Sequence, residues 1–427
     1  MHLIICNERL LFRFGVDRVL LLLAQGLKAA GWHITFVAQR ANHDVLRSIT
    51  DDIHTPPLHH GPYTELDQVT AQWLRDNRHH FVPVGHDPAG TVALIGGWPF
   101  YASIAVFRQW GIPTVALDCG GVPYEDMQGP ARLVQERLRA QRREFLPEAQ
   151  VVTPISHFVS RSQSLPDAGP GVKISMIHLG GDHLTGGVDQ SLWQNGHQAE
   201  SALSAADADD GPIIINLGRW ETGNYKNSEG LYPIARQIIA VHPKARFSVL
   251  ATAEELDLPD DLKAYILPLG HPSDADLNTL MANADLGISV SHWEGFNLPL
   301  AEMQQLRKPV LVLNIGAHPE VVADAQQLCS DEHDIAEKAL RVLAGELLTG
   351  AEWETRLDTF QQTFTWQHTI KAYAELLADL APIQDLPVPQ LVIDTSACLR
   401  DTANTGVARV VRSLTRKLQN FGQPLFV

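Results

Sequence analysis

The chain has 427 residues, 45% of them hydrophobic and 19% charged, which excludes wholesale disorder and is too long for one compact core. Lys plus Arg is 33 against 49 Asp plus Glu, a net charge of −16, so neither general nucleic-acid binding nor general adsorption to an anionic bilayer is expected. The four cysteines, Cys6, Cys119, Cys329 and Cys398, form no C-x-x-C pair, so no disulfide scaffold or cysteine zinc site is expected and the reducing cytosol is the expected compartment.

Residues 2–6 (HLIIC) read as a strand, followed by a loop with Phe14-Gly15. Val19, Leu22, Leu23, Leu27 and Ala30 then recur at helical spacing up to Gly31, and 33–38 (HITFVA) read as a second strand. The apolar run Val19 to Ala24 is too short to span a bilayer and lacks a cleavage signal. Further strands are expected at 91–95, 113–117, 150–154 and 173–178, so residues 1–185 read as one Rossmann-like α/β domain. Within it, Arg132, Arg137, Arg139, Arg142 and Arg143 flank Leu133, Leu138 and Phe145. That segment reads as a solvated amphipathic helix, or as a contact for a membrane surface or an acceptor phosphate.

Residues 186–210 are polar, rich in Ala, Ser and Asp, and read as a linker. A second α/β series over 211–381 has expected strands at 212–217, 246–251, 285–290 and 309–313. Two such domains leave a cleft at the carboxyl ends of their strands. Residues 391–418 echo the N-terminus: Gly406-Val407-Ala408-Arg409-Val410 has the form of Gly15-Val16-Asp17-Arg18-Val19. Residues 389–427 therefore read either as the start of a further Rossmann-like unit in a longer protein or as a tail helix.

The segment 285–322 carries the most chemistry. A buried strand ends near Val290, a turn carries Glu294-Gly295-Phe296-Asn297, and Pro299 sits in the first turn of a helix that Asn297 is placed to cap. Gly295 allows close backbone approach, and the helix N-terminus offers unpaired N–H groups to a phosphate. Carboxylates at Glu294 and Glu302 suit sugar hydroxyls. The bland alternative is a βα turn with a surface Glu and a helical Glu.

Glu294-Gly295-Phe296-Asn297-Leu298-Pro299-Leu300-Ala301-Glu302 resembles the E-G-F-G-L-P-x-x-E, or Glu-x7-Glu, element of the retaining GT-B glycosyltransferases of family four. The resemblance continues at Ser273-Asp274-Ala275-Asp276-Leu277, at Gly316-Ala317-His318-Pro319-Glu320-Val321-Val322, and at Leu217-Gly218-Arg219 with Lys226. It includes Thr153-Pro154-Ile155-Ser156-His157-Phe158, Ile177-His178-Leu179-Gly180-Gly181, and Phe364-Thr365-Trp366, which opens a return helix at 365–380. The resemblance implies two Rossmann-like lobes, the first on the acceptor side and the second binding a nucleoside-diphosphate sugar. Glu302 would then hold the ribose and Glu294 the sugar hydroxyls, with Arg219 and Lys226 on the diphosphate and Gly15, Gly218, Gly295, Phe296, Asn297 and Leu298 lining the donor. It implies retention and neither a metal nor a cofactor. The implied acceptor is a glycan or a lipid-linked hydroxyl, with at most peripheral membrane contact at the inner face.

Two positions depart from the pattern. Where many members have a His in the first lobe, this chain has Cys119 beside Asp118, and Asp118 either substitutes by hydrogen bonding or caps the Gly120-Gly121 turn. The second Gly of E-G-F-G is Asn297, which tolerates a left-handed backbone. Asp274-Ala275-Asp276 reads as a helix start capped by Ser273 rather than a metal-binding D-x-D. The pairs His59-His60 and His79-His80 cannot both easily ligate one metal from a strand, and no H-E-x-x-H occurs, so no metal site is expected. The expected activity is hexosyl transfer to an acceptor hydroxyl. Alternatives are a GT-B epimerase or phosphorylase, or a nucleotide-sugar-binding module without turnover.

Overall fold

The computed structural model describes residues 1–11, 15–57, 62–82, 90–125, 127–185 and 211–380, with the backbone of 392–393 and 425–426. The linker expected at 186–210 lies outside these residues, as does the proposed unit at 389–427 apart from a two-residue parallel pairing of Val392–Ile393 with Leu425–Phe426.

The first lobe is built on seven parallel strands: β1 His2–Leu10, β2 His33–Ala41, β3 Ile53–His54, β4 Thr91–Ile95, β5 Thr114–Asp118, β6 Val151–Pro154 and β7 Lys173–Ile174. Their order is β3-β2-β1-β4-β5-β6-β7. The second lobe has six parallel strands: β8 Ile213–Arg219, β9 Arg246–Leu250, β10 Ile266–Pro268, β11 Leu286–Ser289, β12 Val310–Leu313 and β13 Leu328–Cys329, in the order β10-β9-β8-β11-β12-β13. Both sheets share the order 3-2-1-4-5-6, with a seventh strand added in the first lobe and a reversal beside the first strand, the doubly wound arrangement that opens a crevice at the strands' carboxyl ends. In the second lobe that crevice lies between β8 and β11.

Central strands buried on both faces read as continuous apolar runs, which is why they are legible in the sequence. The strands β3, β10 and β13 have two or three residues each and lack such a run. Strand β7 also stops at Ile174, and the chain from Ser175 crosses between lobes.

The lobes share one apolar cluster. It runs from β1 and helix Gly15–Ala29 through the crossover residues Ile177, Leu179 and Leu184 to helix Leu298–Gln305 and helix Trp366–Leu380. That last helix returns to the first lobe. The Tyr373 hydroxyl donates to Thr153 Oγ1 at 3.0 Å, and a Cβ at Gly26 would meet the Ile370 side chain at 2.3 Å. The N–H of Trp366 donates to Asp182 Oδ1 at 2.7 Å, so a crossover carboxylate satisfies the helix's first turn. The lobes are tied again at Glu320, whose carboxylate accepts the backbone N–H groups of His157 and Phe158 of the first lobe at 2.7 and 2.6 Å.

The arginine-rich helix, Gly129–Phe145, differs from a wholly solvated amphipathic helix. Leu133 points outward, but Arg142 is buried and chelates Asp118 through Nη1 and Nη2 at 2.7 and 2.8 Å. Arg142 Nε also reaches Asp167 at 2.9 Å, and Arg143 Nε donates to the same carboxylate at 3.1 Å. Buried carboxylates on the lobe, invisible in the helix's own periodicity, draw the Arg142 guanidinium inward, while Arg143 reaches Asp167 from the exposed side.

Candidate functional site

Arg219 ends β8 and Glu294 follows β11, two adjacent strands at the reversal point of the second sheet. Glu294 is held by Lys226, whose Nζ donates to Oε1 at 2.7 Å, with both side chains largely buried. Arg219 is half-exposed, with its guanidinium 3.2 Å from Glu221.

Asn297 explains how the turn is kept. Its φ is 72°, a left-handed conformation that Asn adopts more readily than most residues. Its Oδ1 accepts the Leu300 N–H at 3.3 Å, capping helix Leu298–Gln305, and Pro299 occupies the first turn. Asn297 Nδ2 donates to His318 Nε2 at 2.9 Å, while His318 Nδ1 donates to the Leu313 carbonyl at 2.7 Å. This fixes the tautomer, and burial holds His318 below its ordinary pKa. The helix N-terminus is thereby aimed at the cleft, behind the Lys226–Glu294 pair.

Gly295 lies where the two lobes meet. A Cβ there would stand 2.6 Å from the Cys119 carbonyl of the opposite lobe, so the two backbones touch here. Gly316, at φ +54°, packs in the same way on the Glu294 carbonyl. Gly218 has φ +138° and Gly15 opens helix Gly15–Ala29, and among the described residues no atom lies near the Cβ position of either. Phe296 is buried against Phe364 and His178, and Leu298 lies at the edge of the shared core.

Glu302 is not joined directly to Glu294, Arg219 or Lys226. It is buried on its helix, with Oε1 at 3.1 Å from His183 Nε2 and 3.5 Å from Arg18 Nη1. The Trp366 indole N–H donates to His183 Nδ1 at 3.1 Å, which leaves Nε2 as the donor towards Glu302. Burial alone would raise the Glu302 pKa, but the hydrogen bond from His183, then the charge of Arg18, outweigh it and hold the carboxyl below its usual range. Arg18 Nη2 also donates to Asp274 Oδ1 at 2.6 Å, so one guanidinium from the first lobe grips two carboxylates of the second. Ser273 caps helix Asp274–Asn283 by accepting the Asp276 N–H at 3.2 Å, which accounts for the D-x-D as a helix start.

In the first lobe, Asp118 is 1% exposed and fully engaged. Besides Arg142, it accepts from Ser164 Oγ at 2.7 Å and from the Gly120 N–H at 2.9 Å. Burial would raise its pKa, and Arg142 more than offsets this, so the carboxylate stays ionised. Burial pushes the neighbouring Cys119 thiol up to about 12, leaving it protonated. Next to these residues a cavity of about 400 Å³ opens in the first lobe, lined by Glu8, Arg9, Tyr63, Trp98, Tyr124 and Arg139 among others. Its Cys119–Gly121 rim abuts Trp293 of the Glu294 turn, 3.0 Å from a Cβ at Gly120.

The sequence does not mark Arg18 or His183 as site residues. Arg18 carried a usable signal, since it is the arginine of the Gly-Val-x-Arg-Val echo. His183 carried none, because its role depends on a crossover path that no local pattern encodes.

Residues 211–345 match the domain family described as glycosyl transferases group 1. The match lies wholly within the second lobe. Across 119 residues the chain is 32% identical to O-antigen chain mannosyltransferase B of Escherichia coli, which spans 26% of this chain and 30% of that protein. In fold it is similar to sucrose-phosphate synthase from Thermosynechococcus elongatus, with a TM-score of 0.67 at 16% identity over 89% of this chain and 99% of the other. It is also similar to Anabaena HepE in complex with UDP-glucose, with a TM-score of 0.65 at 14% identity over 89% of this chain and 100% of the other. The architecture is therefore GT-B, the two-lobed glycosyltransferase fold.

Proposed function

We propose that the chain transfers a hexosyl group from a nucleoside-diphosphate sugar to an acceptor hydroxyl, with retention of configuration and without a metal. The observation that carries this reading is the Lys226–Glu294 pair set before a capped helix N-terminus at the reversal point of a glycosyl transferases group 1 domain. A leaving nucleoside diphosphate gathers negative charge as the glycosidic bond breaks. Arg219, Lys226 and the N–H groups of helix Leu298–Gln305 are fixed positive groups that would meet that charge without reorganising.

In this reading Glu294 accepts hydrogen bonds from sugar hydroxyls, while Lys226 turns from Glu294 towards the diphosphate. Glu302 takes the ribose, with its carboxylate kept ionised by His183 and Arg18. Gly15, Gly218, Gly295, Phe296, Asn297 and Leu298 complete the donor's surroundings. The HepE complex with UDP-glucose supports a nucleotide-sugar donor by its fold. The cavity beside Cys119 is the acceptor's place: tyrosine and tryptophan rings offer faces to a sugar, and Glu8 and Arg139 offer hydrogen bonds. The leaving phosphate takes the acceptor's proton on the same face, so no side-chain base is needed. Among the described residues no helix is long and apolar enough to cross a membrane, and a lipid-linked acceptor would be met at the inner membrane surface.

Asp118 favours a second reading. Cys119 stands where the resemblance expects a His, and both carboxylate oxygens of its neighbour Asp118 are consumed by Arg142, Ser164 and Gly120, so neither residue offers Glu294 a free acid or base. A nucleotide-sugar-binding module without turnover, part of a longer glycan-assembly protein, has the same donor contacts. Incubation with radiolabelled donor and candidate acceptors separates the two. Labelled, extended acceptor with the donor's anomeric configuration supports transfer, donor binding with no label moved supports the module, and an epimerised free sugar nucleotide contradicts both.

A further inference from the structure

The histidines that matter outside the cleft are not neighbours in sequence. His2 opens β1, His33 opens β2 as its register partner, and Asp52 immediately precedes β3. Three adjacent parallel strands thus place these residues together at the amino end of the first sheet. Along β1 that end is roughly 26 Å from the cleft side.

We propose that His2, His33 and Asp52 form a binding site for a divalent first-row transition ion of the zinc class, with water completing the shell. Among the described residues, these three can each offer one ligand atom, and the three atoms lie within 4.8 Å of one another. His33 Nε2 and Asp52 Oδ2 are 3.2 Å apart, close to the edge of about 3.3 Å that zinc bonds of about 2.0–2.1 Å define in a tetrahedron. An ion there replaces the proton that now joins them. His2 completes the set by a ring shift on the scale of one bond length. His2 Nε2 now donates to the Thr35 hydroxyl at 2.7 Å, and ligation through Nε2 moves that proton to Nδ1, 3.5 Å from Thr91 Oγ1 as acceptor.

The surrounding contacts fit a ligating carboxylate. His54 Nε2 donates to Asp52 Oδ1 at 2.8 Å, and the Thr35 hydroxyl donates to Asp52 Oδ2. Partners of this kind orient a ligand and hold it in place. Two imidazoles and one carboxylate suit zinc, cobalt or nickel better than calcium or magnesium, which take oxygen donors. The ion would pin the starts of three strands, and by position it takes no part in sugar transfer.

The test uses the full chain carrying no polyhistidine tag, titrated with Zn²⁺ by calorimetry and with Co²⁺ by visible absorption in a non-chelating buffer. The expected result is one equivalent bound, with a cobalt band of low-symmetry four-coordinate type and a thermal midpoint that rises with Zn²⁺ and falls with EDTA. His33→Ala and Asp52→Asn should each weaken that binding at least tenfold. Both side chains are partly exposed, and an unchanged midpoint in EDTA shows that the variants fold. Equal Zn²⁺ affinity and stoichiometry in both variants, or no binding by the parent chain below about 100 μM, overturns the proposal.

Discussion

Replacing Arg142 by Met tests how the first lobe holds its face to the cleft. Arg142 satisfies both oxygens of Asp118 at 2.7 and 2.8 Å and one of Asp167 at 2.9 Å, with side-chain exposures of 6%, 1% and 2%. Removing one member of a buried ion pair costs about 3–5 kcal/mol, because the orphaned charge stays out of water. For a lobe of this size that is a fall of roughly 6–20 °C in the first lobe's melting midpoint at pH 7.5, measurable by calorimetry.

The pH dependence gives the loss a signature. In the parent chain the folded Asp118 pKa is depressed, so its contribution is present above the unfolded value of about 3.9 and is lost as pH falls through the folded pKa. In Arg142→Met, burial without the guanidinium raises the folded pKa instead. The penalty is then full at neutral pH and shrinks as the pH falls towards about 4. The midpoint gap between parent and variant should narrow between pH 7.5 and 4.5, and Asp118→Asn on the Arg142→Met background should recover part of it at pH 7.5. A variant within 1 °C of the parent at pH 7.5, or a gap that does not move with pH, refutes the assignment.

Three further outcomes follow from the geometry. Asn297→Ala loses a helix cap of about 1 kcal/mol and puts Cβ strain of about 1–2 kcal/mol at φ 72°, whereas Asn297→Gly should cost less than about 1 kcal/mol, as read by urea denaturation. Gly295→Ala should leave each lobe folded yet lower transfer at least tenfold, because a Cβ 2.6 Å from the Cys119 carbonyl forces the lobes apart; parent-like turnover would show that the contact is not required. Arg18→Ala removes the grip on Asp274 and Glu302, so X-ray scattering at low salt should give a larger radius of gyration than the parent, and identical radii would show that the pair does not hold the lobes.

Both sheets were legible because their central strands are apolar on both faces, as at Leu3-Ile4-Ile5-Cys6 and Ile214-Ile215. The short edge strands β3, β10 and β13 have too few residues to make a pattern. The turn at Glu294 was legible through local chemistry: Asn297 and Pro299 state a helix start whatever the tertiary context. What the sequence hid is non-local. Arg142 looks like one cation among five on a helix, and only the fold brings Asp118 and Asp167 beneath it. His2, His33 and Asp52 are separated by long intervals, while the adjacent pair His79-His80 drew attention with no shared ligand geometry. Glu302 reads as a ligand group in the sequence, and its contacts to His183 and Arg18 depend on the crossover and on how the lobes meet.

The central claim, a nucleotide-sugar donor held at the second lobe, is tested most directly by calorimetric titration with UDP-, GDP- and dTDP-sugars. The account predicts one-to-one binding of at least one donor, weakened at least tenfold in Arg219→Ala and in Glu302→Ala while each variant keeps a cooperative melt. Donor affinity unchanged in both variants, or no binding of any of these donors by the parent chain, would contradict it.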